Sequence, residues 1–305
     1  HPNEFIRGCT LRFLCKLTEP EILEPLVPAI KQNLEDRTPF VRRNAVLCLY
    51  SVYKNFPDLA PDAPADVEAF LKAESDMSSR RNAFVMLFQC DMERAINYLV
   101  ENEEQTQTYG DGFQLVILEL VRKVCKTDPS KKAMFSMVVY NMLSSQSPAV
   151  MYEAAWTLTS LTGAPAAVRA AAQGYSQLLV GSMSDNNIKL IVLDRVAELR
   201  DLHGKVLRDY TMDLLRALST PDQEIRRKVL DIAMSMLSQK NIEEVVLVFK
   251  KELLKTQDPN VDRSGDYRHM LVSSLNTCAE RFPNVTVTIV PVLLEFLGDT
   301  GALDV

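Results

Sequence analysis

TPFVRRNAVLCLY at 38–50 carries the pattern on which the fold turns: a Thr-Pro turn, an apolar residue, a basic residue directly after it, then apolar side chains at helical spacing. Val41, Ala45, Leu49 and Val52 recur at 3- to 5-residue steps and share one helix face. The same design returns in PDQEIRRKVLDIA at 221–233. Around these two lie PNEFIRGCTLRFL (2–14), MSSRRNAFVMLF (77–88), GDGFQLVILELV (110–121), SPAVMYEAAWTL (147–158), DNNIKLIVLDRV (185–196) and SGDYRHMLVSSL (264–275). Taking Ile6, Val41, Ser79, Phe113, Val150, Ile188, Ile225 and Tyr267 as equivalent anchors, the spacings are 35, 38, 34, 37, 38, 37 and 42.

A period near 37 with two helices per unit predicts an all-α, HEAT/armadillo-like α-α superhelix, a solenoid of about seven to eight two-helix repeats. EPLVPAIKQNLED (24–36) and TIVPVLLEFLGD (288–299) read as first helices of such units. Their prolines, Pro25, Pro28 and Pro291, belong in a first turn or at a bend, because each removes a backbone donor. Thr-Pro at 38–39, Ser-Pro at 147–148 and STPD at 219–222 read as N-terminal caps of second helices. The basic residue after the anchor is expected to pair with an acid in the preceding turn, such as Asp36, Asp185 or Asp222, as a ladder between repeats. The expected organisation is one continuous trunk over 1–305, cut mid-repeat at both ends, with inter-helix loops at 57–66 and 255–267.

Composition agrees with close-packed aliphatic helices: 10 glycines, 47% hydrophobic and only 7% aromatic residues. Charged residues at 24% exclude a wholly disordered chain, and no run of apolar residues reaches the length that spans a bilayer. The net charge of −6 speaks against a nucleic-acid partner, which would call for a basic face. Cys9, Cys15, Cys48, Cys90, Cys125 and Cys278 are scattered without a CxxC spacing and read as small buried hydrophobes in a reducing, cytosolic setting.

Catalytic patterns are missing. The three histidines, His1, His203 and His269, are dispersed, no HExxH or Cys/His cluster occurs, and GDGF at 110–113 lacks the GKS/T ending of a phosphate loop. The expectation is a protein that is not an enzyme, with no catalytic, metal or cofactor-binding residues and no cofactor. Trp156 and Met142, Met151, Met234 and Met236 read as core.

Longer strings carry a resemblance. HPNEFIRGCTLRFLCKL (1–17), EPEILEPLVPAI (19–30), VRRNAVL (41–47), SPAVMYEAAWTL (147–158), SDNNIKLIVLDRV (184–196) and STPDQEIRRKVLDIAM (219–234) closely resemble the trunk of the coatomer beta-subunit family of the COPI vesicle coat, in the same order along the chain. PNEFIRG is also similar to a turn of the related clathrin-adaptor beta chains. The resemblance implies a scaffold subunit on the cytoplasmic side of Golgi membranes and COPI vesicles, acting in Golgi-to-ER and intra-Golgi transport. Its implied partners are the coatomer delta subunit through a longin-like domain, the gamma and zeta subunits, and an Arf-family GTPase in its GTP form, with the membrane reached indirectly through the GTPase. Phe5, Ile6 and Arg7 are the candidate partner-binding residues, at the edge of the GTPase-contacting repeats. As an anchor, Ile6 is otherwise expected to be buried. The alternative reading is another HEAT scaffold: a clathrin-adaptor beta chain, a nuclear transport receptor or a phosphatase scaffold.

Overall fold

A computed structural model describes residues 1–181, 185–256 and 265–297. Among the described residues the regular structure is helical, without strands. The chain divides into two compact units, His1–Met142 and Leu143–Val305. The first holds α1 (Glu4–Leu14), α2 (Pro20–Leu23), α3 (Val27–Gln32), α4 (Pro39–Asn55), α5 (Ala63–Ala73), α6 (Met77–Cys90), α7 (Met92–Glu101), α8 (Asp111–Thr127) and α9 (Lys132–Met142). The second holds α10 (Pro148–Leu161), α11 (Pro165–Val180), α12 (Asn186–Leu207), α13 (Thr211–Leu215), α14 (Gln223–Ser235), α15 (Ile242–Lys255), α16 (Gly265–Arg281) and α17 (Thr286–Leu297).

In the first unit α1 packs on α4, α4 on α6 and α6 on α8, a layer of second helices backed by α3, α5 and α7. In the second, α10 packs on α11 and α11 on α12, while α12, α14 and α16 follow one another with α13, α15 and α17 behind them. The anchors explain the stacking. Val41, Ser79, Phe113, Val150, Ile225 and Tyr267 are all buried, and in α4 the predicted face of Val41, Ala45, Leu49 and Val52 is buried throughout. Each such aliphatic side chain contributes about 1.5–3 kcal/mol by leaving water. Two anchors depart from the set: Ile6 is 48% exposed and Ile188 is only half-buried.

Caps follow the acids more than the hydroxyls. Asn3, Asp76, Asp91, Asp185 and Asp222 accept backbone N–H bonds from the first turns of α1, α6, α7, α12 and α14. Thr38 and Ser147, expected as caps, make no side-chain cap bond; they hold the extended backbone that precedes a proline at the helix start. Pro25 and Pro28 open short helical pieces and divide 20–35 into α2, α3 and intervening 3-10 turns, whereas Pro291 lies inside α17.

The loop boundaries shift. Pro57–Leu59 is a 3-10 turn, and Ala63 to Asp66 already form the first turn of α5, where Pro64 is tolerated because its missing donor has no intrahelical partner. Of the 255–267 loop, Lys255 ends α15 and Gly265 to Tyr267 open α16; residues 257–264 lie outside the described residues.

The ladder also differs from expectation. Arg42 donates to the Asp36 carbonyl at 2.8 Å and pairs with Glu74 at 2.6 Å, leaving the Asp36 carboxylate to Arg7 of the preceding repeat. Asp222 is occupied as a cap and by Asn186, so Arg226 instead donates to the Leu218 carbonyl at 3.3 Å. Gln114 reaches the Thr106 carbonyl at 3.0 Å and Arg268 that of Thr256 at 2.9 Å. At Arg42, Gln114, Arg226 and Arg268 the position after the anchor therefore satisfies carbonyls left open before the second helix, whereas Arg80 donates to the Tyr98 and Tyr109 hydroxyls.

Candidate interaction surfaces

The tip of α1 presents two of the three sequence candidates to solvent. Phe5 is 64% exposed, with its ring 5.8 Å from that of Phe40, and Ile6 stands beside it. Arg7 is committed elsewhere: its Nε and second amino group grip both Asp36 oxygens at 2.9 and 3.2 Å, and its remaining amino group donates to the His1 and Pro2 carbonyls. Burial pushes the Asp36 carboxyl up, but the Arg7 guanidinium and the Thr38 N–H outweigh it and hold it below the usual carboxylate range. The structure thus brings Phe5 and Ile6 together as an apolar edge, with Arg7 as the clamp that fixes the helix start.

A second surface lies in the later unit, where α11 packs on both α10 and α12. Tyr152 of α10 accepts a 2.8 Å hydrogen bond from Arg195 of α12, whose guanidinium also lies 5.1 Å from the Trp156 ring centre. Beneath this bridge is a cleft of about 210 Å³ lined by Trp156, Tyr175, Arg195, Glu198, Leu202 and His203, among others. Trp156 is therefore a half-buried cleft wall, while Met142 and Met236 are core as expected and Met151 and Met234 are partly buried. α12 kinks at His203, which lines the cleft and packs by Gly163.

Sequence reasoning missed the exposed apolar residues of α12, of which Leu202 lines this cleft. α12 buries Val192, Leu193, Val196 and Leu199, yet Ile191 and Leu202 are also apolar and stand 53% and 76% exposed. The available signal was an apolar residue at each end of the polar face that carries Arg195 and Glu198. A third exposed stripe, Leu247 and Leu254 with Lys251, runs along the outer face of α15.

The titrating groups follow packing and ion pairing. Lys72 and Arg94 hold the Glu68 carboxyl below its ordinary value, and Arg94 meets Glu68 in a short contact while also pairing with Asp91 at 2.9 Å. Among the described residues no cluster of three His, Cys, Asp or Glu side chains is placed to hold a metal ion.

These features sit on a repeat design shared with known proteins. The adaptin N-terminal region profile matches residues 1–303. The chain belongs to the adaptin N-terminal region family. Its HEAT/armadillo-like helical solenoid is shared with a chain in a homology model of the full-length AP-3 complex in an intermediate open conformation, at a TM-score of 0.68 and 15% identity over 95% of this chain and 55% of that one. The sequence is 53% identical over 304 residues to coatomer subunit beta of Rattus norvegicus, covering 99% of this chain and 32% of that protein. It is 51% identical over 310 residues to coatomer subunit beta-2 of Arabidopsis thaliana, covering 100% of this chain and 33% of the relative. With coatomer subunit beta of Drosophila melanogaster the figure is 51% over 305 residues, 99% of this chain and 32% of the other. The chain thus spans about a third of the length of these relatives.

Proposed function

We propose that this chain is a trunk segment of a COPI coat scaffold, a structural rather than catalytic element that holds other coatomer subunits and docks on an Arf-family GTPase in its GTP form. The observation that carries this reading is 53% identity to a coatomer beta subunit across 99% of the chain. In this reading the two compact units belong to one continuous trunk. Phe5 and Ile6 offer an exposed apolar edge to the GTPase, with Arg7 positioning it. The cleft lined by Trp156 and Leu202, with Ile191 exposed one turn before Arg195 on the same helix, offers a second surface, assigned to the longin-like domain of the delta subunit, with gamma and zeta joining the assembly. Membrane contact is indirect, through the GTPase; no helix among the described residues is long and apolar enough to cross a bilayer. The protein would then work in the cytoplasm, peripheral on Golgi membranes and COPI vesicles, without a cofactor or nucleic-acid partner.

Size-exclusion chromatography of the chain with the N-terminal domain of a coatomer delta subunit, and separately with a GTP-locked Arf-family protein, tests the proposal. Co-elution with each is expected. Phe5→Asp combined with Ile6→Asp should remove only the GTPase complex, and Ile191→Asp combined with Leu202→Asp only the delta complex. All four side chains are substantially exposed, so the variants should fold. A folded chain that binds neither protein would overturn the coat assignment.

A further inference from the structure

The cleft beside Trp156 holds hydrogen-bond donors that the protein itself does not use. Tyr175 of α11 lines it and is only 2% exposed, yet its hydroxyl makes no hydrogen bond with any described residue. Burial pushes that hydroxyl up, so it keeps its proton and stays a donor. Arg195, in the same lining, spends Nε on the Tyr152 hydroxyl at 2.8 Å and one amino group on Glu198 at 2.6 Å, which leaves its other amino group without an acceptor. Thr159 and Ser160 turn their hydroxyls back to the Trp156 and Thr157 carbonyls of α10, at 3.0 and 2.7 Å, and accept from neither donor. A buried donor left unpaired is a cost that an occupant with a matching acceptor removes.

Size and charge narrow the occupant. At about 210 Å³ the cleft has room for one side chain and not for a helix. The Arg195 guanidinium is fixed from two sides, by the Tyr152 hydroxyl and by the Trp156 ring 5.1 Å away, while its counter-charge Glu198 stands exposed to solvent. Two donors, one of them cationic, match the two oxygens of a carboxylate better than a single neutral carbonyl. The rest of the wall is apolar, with Leu199 buried and Leu202 76% exposed. A lone carboxylate ion would leave Leu202 in water, whereas a protein segment can cover it with the residue next to the acid.

We propose that this cleft receives the carboxylate of a glutamate or aspartate of the docking protein, held by the Tyr175 hydroxyl and the free Arg195 amino group, with a neighbouring apolar side chain laid over Trp156 and Leu202. The inference rests on the reading of this surface as the docking site of the delta-subunit domain, and it specifies what that domain has to present there: an acidic residue beside an apolar one. Tyr152 is a positioning residue, since it holds Arg195 without lining the cleft.

Trp156 is the only tryptophan of the chain, so a chain labelled with fluorinated tryptophan carries one fluorine resonance, in the cleft wall. N-acetyl-glutamyl-isoleucine amide should be titrated into the labelled chain to millimolar concentrations, beside its glutaminyl counterpart. The glutamyl peptide is expected to shift the resonance progressively, and the glutaminyl peptide to bind about tenfold more weakly, because its bonds are no longer charge-assisted. Tyr175→Phe removes only the unpaired hydroxyl, so it should melt at the same temperature or higher while binding the glutamyl peptide about fivefold more weakly. A purely structural hydroxyl would not separate those two readouts. Equal binding of the two peptides, a resonance that neither moves, or undiminished binding in Tyr175→Phe would overturn the proposal. The delta-subunit complex is read separately by size-exclusion chromatography: a complex that forms and is lost in Leu202→Asp while the peptides fail keeps the docking surface and removes the carboxylate pocket. Peptide binding without a delta-subunit complex keeps the pocket and removes its assigned partner.

Discussion

The two units solve the same packing problem with different materials. In the first, an aromatic cluster fills the space between α6, α7 and α8: the Phe84 ring lies 5.1 Å from Phe113 and 6.0 Å from Tyr98, and Tyr109 stacks on Phe113 at 4.7 Å. In the second, α11 carries Ala167, Ala171, Ala172 and Gly174 into the core, so helix backbones approach closely with little side-chain bulk between them. The polar connections diverge in parallel. Arg7 and Arg42 use carboxylates, whereas Arg226 and Arg268 use carbonyls, and Arg226 also lies 4.2 Å from the Tyr267 ring centre. One repeat pattern thus tolerates either large rings or small residues, and either ionic or neutral acceptors, provided that volume and donors are matched.

The contrast predicts opposite responses to substitution. Phe84→Ala should cost about 3–5 kcal/mol, because a fully buried ring leaves a cavity that its neighbours cannot close. Urea unfolding followed by hydrogen exchange should localise the loss to the first unit. Ala171→Leu acts the other way, overfilling a fully buried site in the second unit at about 1–3 kcal/mol, read as earlier exchange in α10 to α12. Equal tolerance at both positions would break the distinction.

Acid should separate the ladders. Burial pushes Asp36 and Glu74 up, but their arginines and neighbouring N–H groups prevail and hold both carboxyls below the usual range, and Glu68 is held down by Lys72 and Arg94. A depressed folded value means that these groups stabilise the fold fully above the ordinary carboxylate range, and that the contribution is lost as pH falls through the lower folded values. Amide exchange near α4 and α5 should therefore accelerate on acidification, while the Arg226 and Arg268 contacts to carbonyls persist. Glu74→Gln should reproduce part of this at neutral pH, costing about 1–3 kcal/mol by leaving the Arg42 charge poorly paired. The smallest effect is expected from Arg226→Leu, about 1 kcal/mol of thermal stability from the lost carbonyl bond and ring contact. A pH-independent first unit would show that its ion pairs contribute no more than neutral bonds do.

The period, the identity of most anchors and the cap at 219–222 were readable in the sequence, because they rest on interactions spanning a few residues: helical spacing places Val41, Ala45, Leu49 and Val52 together, and Asp222 caps the helix it precedes. The coatomer-like strings, such as SDNNIKLIVLDRV at 184–196, also pointed to the relatives by sequence alone. What lies across a seam was not readable. Local sequence marks the position after each anchor as polar or basic in most repeats, but only the tertiary structure decides whether Arg42 meets Glu74 or Arg226 meets a carbonyl and Tyr267. It also exposes Ile6 and opens the cleft beside Trp156. The physical reason is range: backbone geometry and capping act within a turn or two, whereas partners and solvent exposure depend on which helix packs opposite, and residues 30 or more positions away settle that.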